Sequence, residues 1–154
     1  MDLLSILKPE AVKVLGQVTS KKRLFHDAVD LAIDAYGVSL PSAVEALMER
    51  ENLGPTGVGH GVALPHARVS GIDSVLGVFI RLDKPLSFEA VDKQPVDLVF
   101  CLFAPEEAGA EHLKALALVA RTLRNESVCE KLRSNRNAAA LHGILAQAPA
   151  IAAA

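Results

Sequence analysis

Residues 96–103 read VDLVFCLF and form an almost unbroken apolar run. A run of this length, bounded by turn residues, predicts a strand buried on both faces at the centre of a sheet. Residues 75–82, VLGVFIRL, predict a second strand of similar character, and residues 12–15 and 62–64 predict two shorter ones. These strands form the expected core of the fold.

Helical patterns lie on either side of these strands. Ser20 is a good N-cap and Gly37 suits the C-terminal end of the first helix. Pro41 fits the first turn of a second helix that ends near Asn52. Residues 111–124 predict a strong third helix, and its expected buried face consists of Leu113, Leu116, Ala117, Ala120 and Leu123.

The order of these elements favours an α/β (α+β-like) fold. Helices and strands mix without strict βαβ alternation, so we expect a mixed parallel and antiparallel sheet with helices on both faces. Residues 1–146 fit one domain. The small, apolar residues 147–154 are expected to form a disordered tail.

Composition excludes several classes of function. The net charge of −2 and the absence of a basic stripe argue against a nucleic-acid binder. No apolar run reaches the roughly 18 residues that a membrane span needs. The N-terminus lacks the pattern of a signal peptide, so Cys101 and Cys129 are expected to be buried thiols and the protein cytoplasmic.

A loop with four glycines, GPTGVGHG at residues 54–61, precedes the short strand 62–64. Glycine costs backbone entropy on folding, so this density suggests sharp turns or amide groups that approach an anion. Thr56, Gly57, Gly59 and Gly61 are therefore candidates for a phosphate loop. Glycine-rich loops are also common as plain turns, which leaves the signal weak on its own.

His66 is the candidate nucleophile. It follows Pro65, and an imidazole near neutral pH can attack phosphorus with one nitrogen while the other is held by a hydrogen bond. Arg50 and Arg68 flank the loop and suit phosphoryl oxygens. His112, at the start of the third helix, suits a supporting role because helix N-termini favour negative charge.

Two motifs carry a resemblance to a known family. Residues 57–66, GVGHGVALPH, closely resemble the phosphorylation motif of the fructose–mannitol class of enzyme IIA domains of the bacterial phosphoenolpyruvate-dependent phosphotransferase system. Residues 111–120, EHLKALALVA, resemble the second motif of that family, a histidine followed by a leucine-rich helix. The resemblance covers roughly residues 1–145. Within the class, the chain is most similar to the nitrogen-branch regulatory enzyme IIA.

The resemblance implies a phosphocarrier that needs no cofactor or metal. His66 would accept a phosphoryl group from an HPr-like carrier, with His112 as the supporting histidine and Arg50 compensating charge. The output would be regulation through protein contacts, with a kinase or a potassium transporter as the kind of target. His60 stands where nitrogen-branch relatives often carry Asn, so it joins Arg68 as a further candidate of undefined role.

Three alternatives remain open at this stage. A sugar-specific IIA would pass its phosphate to a IIB domain of a transporter. A metal hydrolase would use His60, His66 and His112 as zinc ligands, although the loop offers no carboxylate as base. A binding module that no longer transfers phosphate would act by contact alone, but the intact histidines argue against it.

Overall fold

The computed structural model describes residues 1–153, with side chains described through Gln147. This part of the chain forms six strands and five α-helices, preceded by short 3-10 turns at Leu3–Ser5 and Pro9–Ala11. In chain order the elements are β1 (Val12–Leu15), α1 (Lys21–Tyr36), α2 (Ala43–Leu53), β2 (Gly57–Gly59), β3 (Val62–Ala63), β4 (His66–Val69), β5 (Leu76–Leu86), β6 (Val96–Pro105), α3 (Ala110–Arg124), α4 (Glu126–Arg133) and α5 (Ala138–Ala153). The predicted tail, residues 147–154, lies beyond the described side chains except for Gln147 and stays a prediction.

Strand β6 lies at the centre of the sheet, as its sequence predicts. It pairs antiparallel with β5 and parallel with both β3 and β4. Outward from this centre, β1 joins β5 in parallel and β2 joins β3 antiparallel, which gives the order β1-β5-β6-β3-β2. The predicted mixed sheet is confirmed.

Both faces of the sheet are covered by helices. Every residue from Leu98 to Ala104 in β6 is at most 1% exposed, although neighbouring side chains point to opposite faces. Helix α1 packs on α2 and β5, whereas α3, α4 and α5 pack on one another. Among the described residues, no helix combines the length and apolar character that crossing a bilayer requires.

His66 lies at a break in one edge of β6. Strand β3 pairs Ala63 with Val99, and β4 resumes the same edge by pairing His66 with Leu102. Pro65 lies between them and has no N–H to donate, although its carbonyl still accepts from the Leu102 N–H at 2.9 Å. His66 therefore begins a new strand, whereas the sequence predicted a strand that stops before it.

The helix ends agree with the sequence in part. Ser20 Oγ accepts a hydrogen bond from the Arg23 N–H at 3.1 Å, and Gly37 ends α1 with a φ of 64°. Helix α2 begins at Ala43 and not at Pro41, because Ser42 takes a left-handed conformation with a φ of 61°.

The predicted buried face of α3 is wrong for two of its five residues. Leu113 is 67% exposed and Ala117 is exposed, whereas Leu123 is buried and the half-buried Leu116 and Ala120 pack against the core. Apolar residues occupy more than one side of this helix, so the pattern did not single out one face. The side that packs into the protein carries His112, Ala115, Leu118, Val119, Thr122 and Leu123.

Candidate functional site

The imidazole of His66 is held by a different contact at each ring nitrogen. Nδ1 lies 2.9 Å from the Leu64 carbonyl oxygen, which can only accept, so Nδ1 carries the proton and donates. Arg50 Nε donates to Nε2 at 3.3 Å, so Nε2 is unprotonated. Both partners select the same tautomer. The ring therefore presents its nucleophilic lone pair at Nε2, beside a guanidinium.

Arg50 lies on the last turn of α2. Its Nη1 donates to the Gly54 carbonyl oxygen at 3.0 Å while Nε contacts His66. These two contacts fix the plane of the guanidinium. A planar guanidinium held in this way suits the oxygens of a group bound to Nε2.

His112 reaches the same site from the first turn of α3. Its ring centroid lies 5.5 Å from that of His66, and the two rings are at 73°. The residue is 6% exposed, and its Nε2 has no hydrogen-bond partner among the described residues. Buried polar atoms are nearly always paired, so this nitrogen is free to bind a group at the site.

Two shallow clefts flank the histidine. One of about 450 Å³ is lined by both histidines, Arg50 and Arg68, together with Leu53 and Leu113. Another of about 330 Å³ lies between His66 and the loop residues Pro55, Thr56 and Val58. The site is thus open to solvent at a surface that carries exposed aliphatic side chains, namely Leu53 (85%), Leu113 (67%) and Val58 (53%).

The surroundings hold both imidazoles neutral. Burial lowers the pKa of His66 below its ordinary value, and the positive charge of Arg50 lowers it further against the opposing bond to Leu64. Burial also lowers the pKa of His112, with smaller effects from His66 and Arg68. A neutral ring is the nucleophilic form, so the lowered pKa of His66 favours the form that keeps its lone pair.

These lowered pKa values predict that acid destabilises the fold. Between the folded pKa and the ordinary value of 6.5, the unfolded chain binds more protons than the native protein. The stabilisation is therefore complete above the unfolded pKa and is lost as the pH falls through the folded one. Urea unfolding between pH 7 and pH 5 should show this loss, and the double variant His66→Gln/His112→Gln should show a flatter dependence. The exposed His26, changed to Gln, is the matched control, and an equally steep profile in the double variant would contradict the prediction.

Comparison with known proteins shows the family to which this chain is related. The family model described as "Phosphoenolpyruvate-dependent sugar phosphotransferase system, EIIA 2" matches residues 5–148. The chain belongs to this enzyme IIA family. The resemblance predicted from the two motifs is confirmed at this level.

Individual members of the enzyme IIA family are similar to this chain over nearly its whole length. The nitrogen regulatory protein of Bradyrhizobium diazoefficiens is 45% identical over 153 residues, covering 99% of this chain and 100% of the relative. The crystal structure of nitrogen regulatory protein IIA-Ntr from Neisseria meningitidis is 38% identical, with a TM-score of 0.81 over 93% of this chain and 98% of that one. The IIA-Mtl complex with phosphorylated IIB-Mtl from Escherichia coli is similar with a TM-score of 0.74 and 22% identity, over 92% and 99% of the two chains. At that identity the likeness shows the fold alone.

Within this enzyme IIA fold, the glycines of the predicted phosphate loop form a hairpin. Gly57 and Gly59 lie in β2, and Gly61 lies in the turn to β3 with a φ of 76°. None of the three lines a cleft that contains His66. A Cβ on Gly57 would lie 2.8 Å from the Ala90 side chain, so close packing accounts for that glycine. Their contact with phosphate stays a prediction.

His60 does not join the other histidines in either cleft. It adopts a φ of 56° in the hairpin turn, donates its N–H to Asp92 at 2.9 Å and lines a separate cleft of about 620 Å³. Arg133 donates to its carbonyl oxygen. Within the described residues, no group of three His, Cys, Asp or Glu side chains is arranged to hold a metal ion. The arrangement does not favour the zinc alternative, which needs His60 beside His66.

One charged group near the site was not predicted from the sequence. Glu51 is 7% exposed and binds both Lys21 and Thr56. Thr56, predicted to contact phosphate, therefore has its hydroxyl and its N–H engaged by a carboxylate. The only available signal was a carboxylate five residues before a threonine, which is too common to single out.

Proposed function

We propose that this protein is a phosphocarrier that accepts a phosphoryl group on Nε2 of His66. The observation that carries the proposal is the double restraint of the ring, with Nδ1–H bonded to Leu64 and Nε2 beside Arg50 at an open cleft. Membership of the enzyme IIA family supports it. The donor in this proposal is the phosphohistidine of an HPr-like carrier.

The proposed transfer balances without a cofactor. The lone pair of His66 Nε2 forms the new N–P bond as the donor's N–P bond breaks and its electron pair returns to the donor nitrogen. The proton stays on Nδ1, donated to the Leu64 carbonyl oxygen, so no proton needs to move during the transfer. The His66 ring, substituted at Nε2 and still protonated at Nδ1, then carries a formal positive charge, and the donor ring leaves as a neutral imidazole because its other nitrogen is protonated.

Three groups near Nε2 suit the charge of the transferred group. Arg50 is already in contact with this nitrogen, and Arg68 lines the same cleft. His112 brings a buried nitrogen without a partner, which as an N–H donor would bind a phosphoryl oxygen. A phosphoryl group would add roughly −1.5 to −2 charges to this surface if it titrates as other phosphorylated side chains do. Such a change favours a different set of partners.

For the output, we propose nitrogen-branch regulation by protein contact. The relatives named nitrogen regulatory protein, at 45% and 38% identity over nearly the whole chain, support this choice. The exposed Leu53, Leu113 and Val58 around the cleft provide an apolar docking surface next to His66. The regulated partner is a protein such as a kinase or a potassium transporter, and the protein acts in the cytoplasm.

A second candidate is a sugar-specific IIA that passes its phosphate to a IIB domain. The matching family model, whose description names a sugar phosphotransferase system, favours it. The same docking surface would then receive the IIB domain. Rapid loss of the phosphoryl group to an added mannitol-type or fructose-type IIB would support this candidate over regulation.

The proposed function is tested by intact-protein mass spectrometry. The protein is incubated with phosphoenolpyruvate, enzyme I and an HPr-type carrier, and a sample without enzyme I is the control. We expect a gain of one phosphoryl mass that acid treatment removes, because phosphohistidine is acid-labile. An unchanged mass beside a fully charged carrier would contradict the proposal and favour a contact-only module.

A further inference from the structure

Glu51 carries a carboxylate buried beneath the site. Lys21 Nζ donates to Oε2 at 2.8 Å, the Thr56 N–H donates to Oε2 at 3.1 Å, and the Thr56 hydroxyl donates to Oε1 at 2.6 Å. The side chain of Glu51 is only 4% exposed. Burying a charge is costly unless it is paired and hydrogen-bonded, and here both oxygens are satisfied. Such an arrangement needs a reason beyond packing.

One chain of bonds runs from this carboxylate to Nδ1 of His66. Thr56, held by Glu51 at two atoms, accepts the Leu64 N–H on its carbonyl oxygen at 3.0 Å. Leu64 in turn presents its carbonyl oxygen to His66 Nδ1–H at 2.9 Å. The position of Thr56 therefore sets the acceptor that fixes the tautomer of the ring.

A second chain of bonds runs to Nε2. Gly54 lies between Glu51 and Thr56, and its N–H bonds to the Glu51 carbonyl oxygen at 3.2 Å. The Gly54 carbonyl oxygen accepts Arg50 Nη1–H at 3.0 Å, and Arg50 Nε contacts His66 Nε2 at 3.3 Å. The turn closed by Glu51 and Thr56 thus also orients the guanidinium.

We propose that Glu51 is a positioning residue for His66. Its carboxylate acts through Thr56 and Leu64 on the contact of Nδ1. Its backbone carbonyl acts through Gly54 on the contact that Arg50 makes with Nε2. Lys21 balances its charge and ties the turn to α1. The effect on transfer rests on the proposed function, whereas the effect on the ring of His66 does not. A purely structural Glu51 would change stability and, beyond the direct effect of its charge, which raises the pKa of His66, would leave the tautomer of the ring as it is.

The test compares Glu51→Gln with wild type in two measurements. Glutamine keeps the size but replaces one acceptor oxygen by an NH₂ group. Either the Thr56 hydroxyl loses its acceptor at Oε1, or Lys21 and the Thr56 N–H lose theirs at Oε2. We expect ring-¹⁵N NMR of the free protein to show a weaker Nδ1–H bond and a mixed tautomer for His66. Where transfer occurs, its rate should fall about 10- to 100-fold, as small misplacements at reacting centres do. Glu45→Gln removes the same charge from an exposed position of α2 and is the matched control.

A second pair of variants keeps the test decisive if Glu51→Gln does not fold. Thr56→Val removes the hydroxyl donor at nearly constant volume, and Thr56→Ser retains it. Valine should reproduce the His66 ring signals and slower transfer expected for Glu51→Gln, and serine should restore wild-type behaviour. The proposal would be overturned if Glu51→Gln or Thr56→Val folds and keeps the wild-type ring signals of His66. It would also be overturned if neither variant folds.

The two measurements separate this proposal from the proposed function. If wild type accepts no phosphate, the proposed function fails while the NMR comparison still decides the role of Glu51. If wild type accepts phosphate and the ring signals of His66 are the same in Glu51→Gln as in wild type, only the positioning role fails.

Discussion

Replacement of His66 by glutamine is expected to abolish phosphoryl acceptance. The amide of glutamine has no nucleophilic lone pair comparable to that of Nε2, and no other imidazole in the site is presented by two contacts. Mass spectrometry after incubation with the charged carrier should show no phosphoryl gain. Circular dichroism and urea unfolding should confirm that the variant is folded, since the ring is only half-buried.

The matched control for this prediction is His60→Gln. His60 lies six positions earlier in the same motif, yet it lines a different cleft and should leave acceptance unchanged. A phosphoryl gain in His66→Gln would contradict the account. If that gain disappeared in His66→Gln/His112→Gln, the acceptor would be His112.

Replacement of Arg50 by glutamine is expected to slow phosphoryl acceptance by about 10²- to 10³-fold, the range found when one preorganised donor to a transition state is removed. The guanidinium lies against Nε2 before the reaction, so its charge is already oriented toward the incoming oxygens. Its loss should also raise the pKa of His66, because the positive charge of Arg50 lowers it. Quench-flow kinetics and NMR titration measure the two effects.

Arg50→Lys separates charge from geometry. A lysine keeps the charge but has a single nitrogen, so it cannot hold Gly54 and Nε2 in the way the two guanidinium nitrogens do. We expect an intermediate rate for this variant. Arg23→Gln, on α1 and outside both clefts, is the control for loss of positive charge. A wild-type rate for Arg50→Gln would exclude Arg50 from the chemistry.

Local patterns predicted the parts of the fold that depend on local physics. The apolar run at 96–103 is sufficient to place β6 at the centre, because a strand without a polar face must be covered on both sides. The caps Ser20 and Gly37 depend on their own side chains and backbone, and α1 begins and ends where they indicate. The choice of His66 as the candidate nucleophile rests on local signals as well, namely the preceding Pro65 and the motif that contains both residues.

Other features depend on pairing between distant segments. The break at Pro65 lies along β6, so the continuation of the edge strand through His66 needs the partner strand to be known. The exposed side of α3 depends on which of its apolar residues meets the sheet. Glu51 looked like an ordinary charge at a helix end until the fold brought Lys21 and Thr56 to it.

Nε2 of His66 is the nitrogen on which we expect the phosphoryl group. NMR of the phosphorylated protein with ¹⁵N-labelled histidine tests it directly, because a phosphorus attached to nitrogen couples to that nitrogen. We expect coupling at His66 Nε2, with Nδ1 still protonated and bonded to Leu64. Coupling at Nδ1 of His66, or at His112, would contradict it.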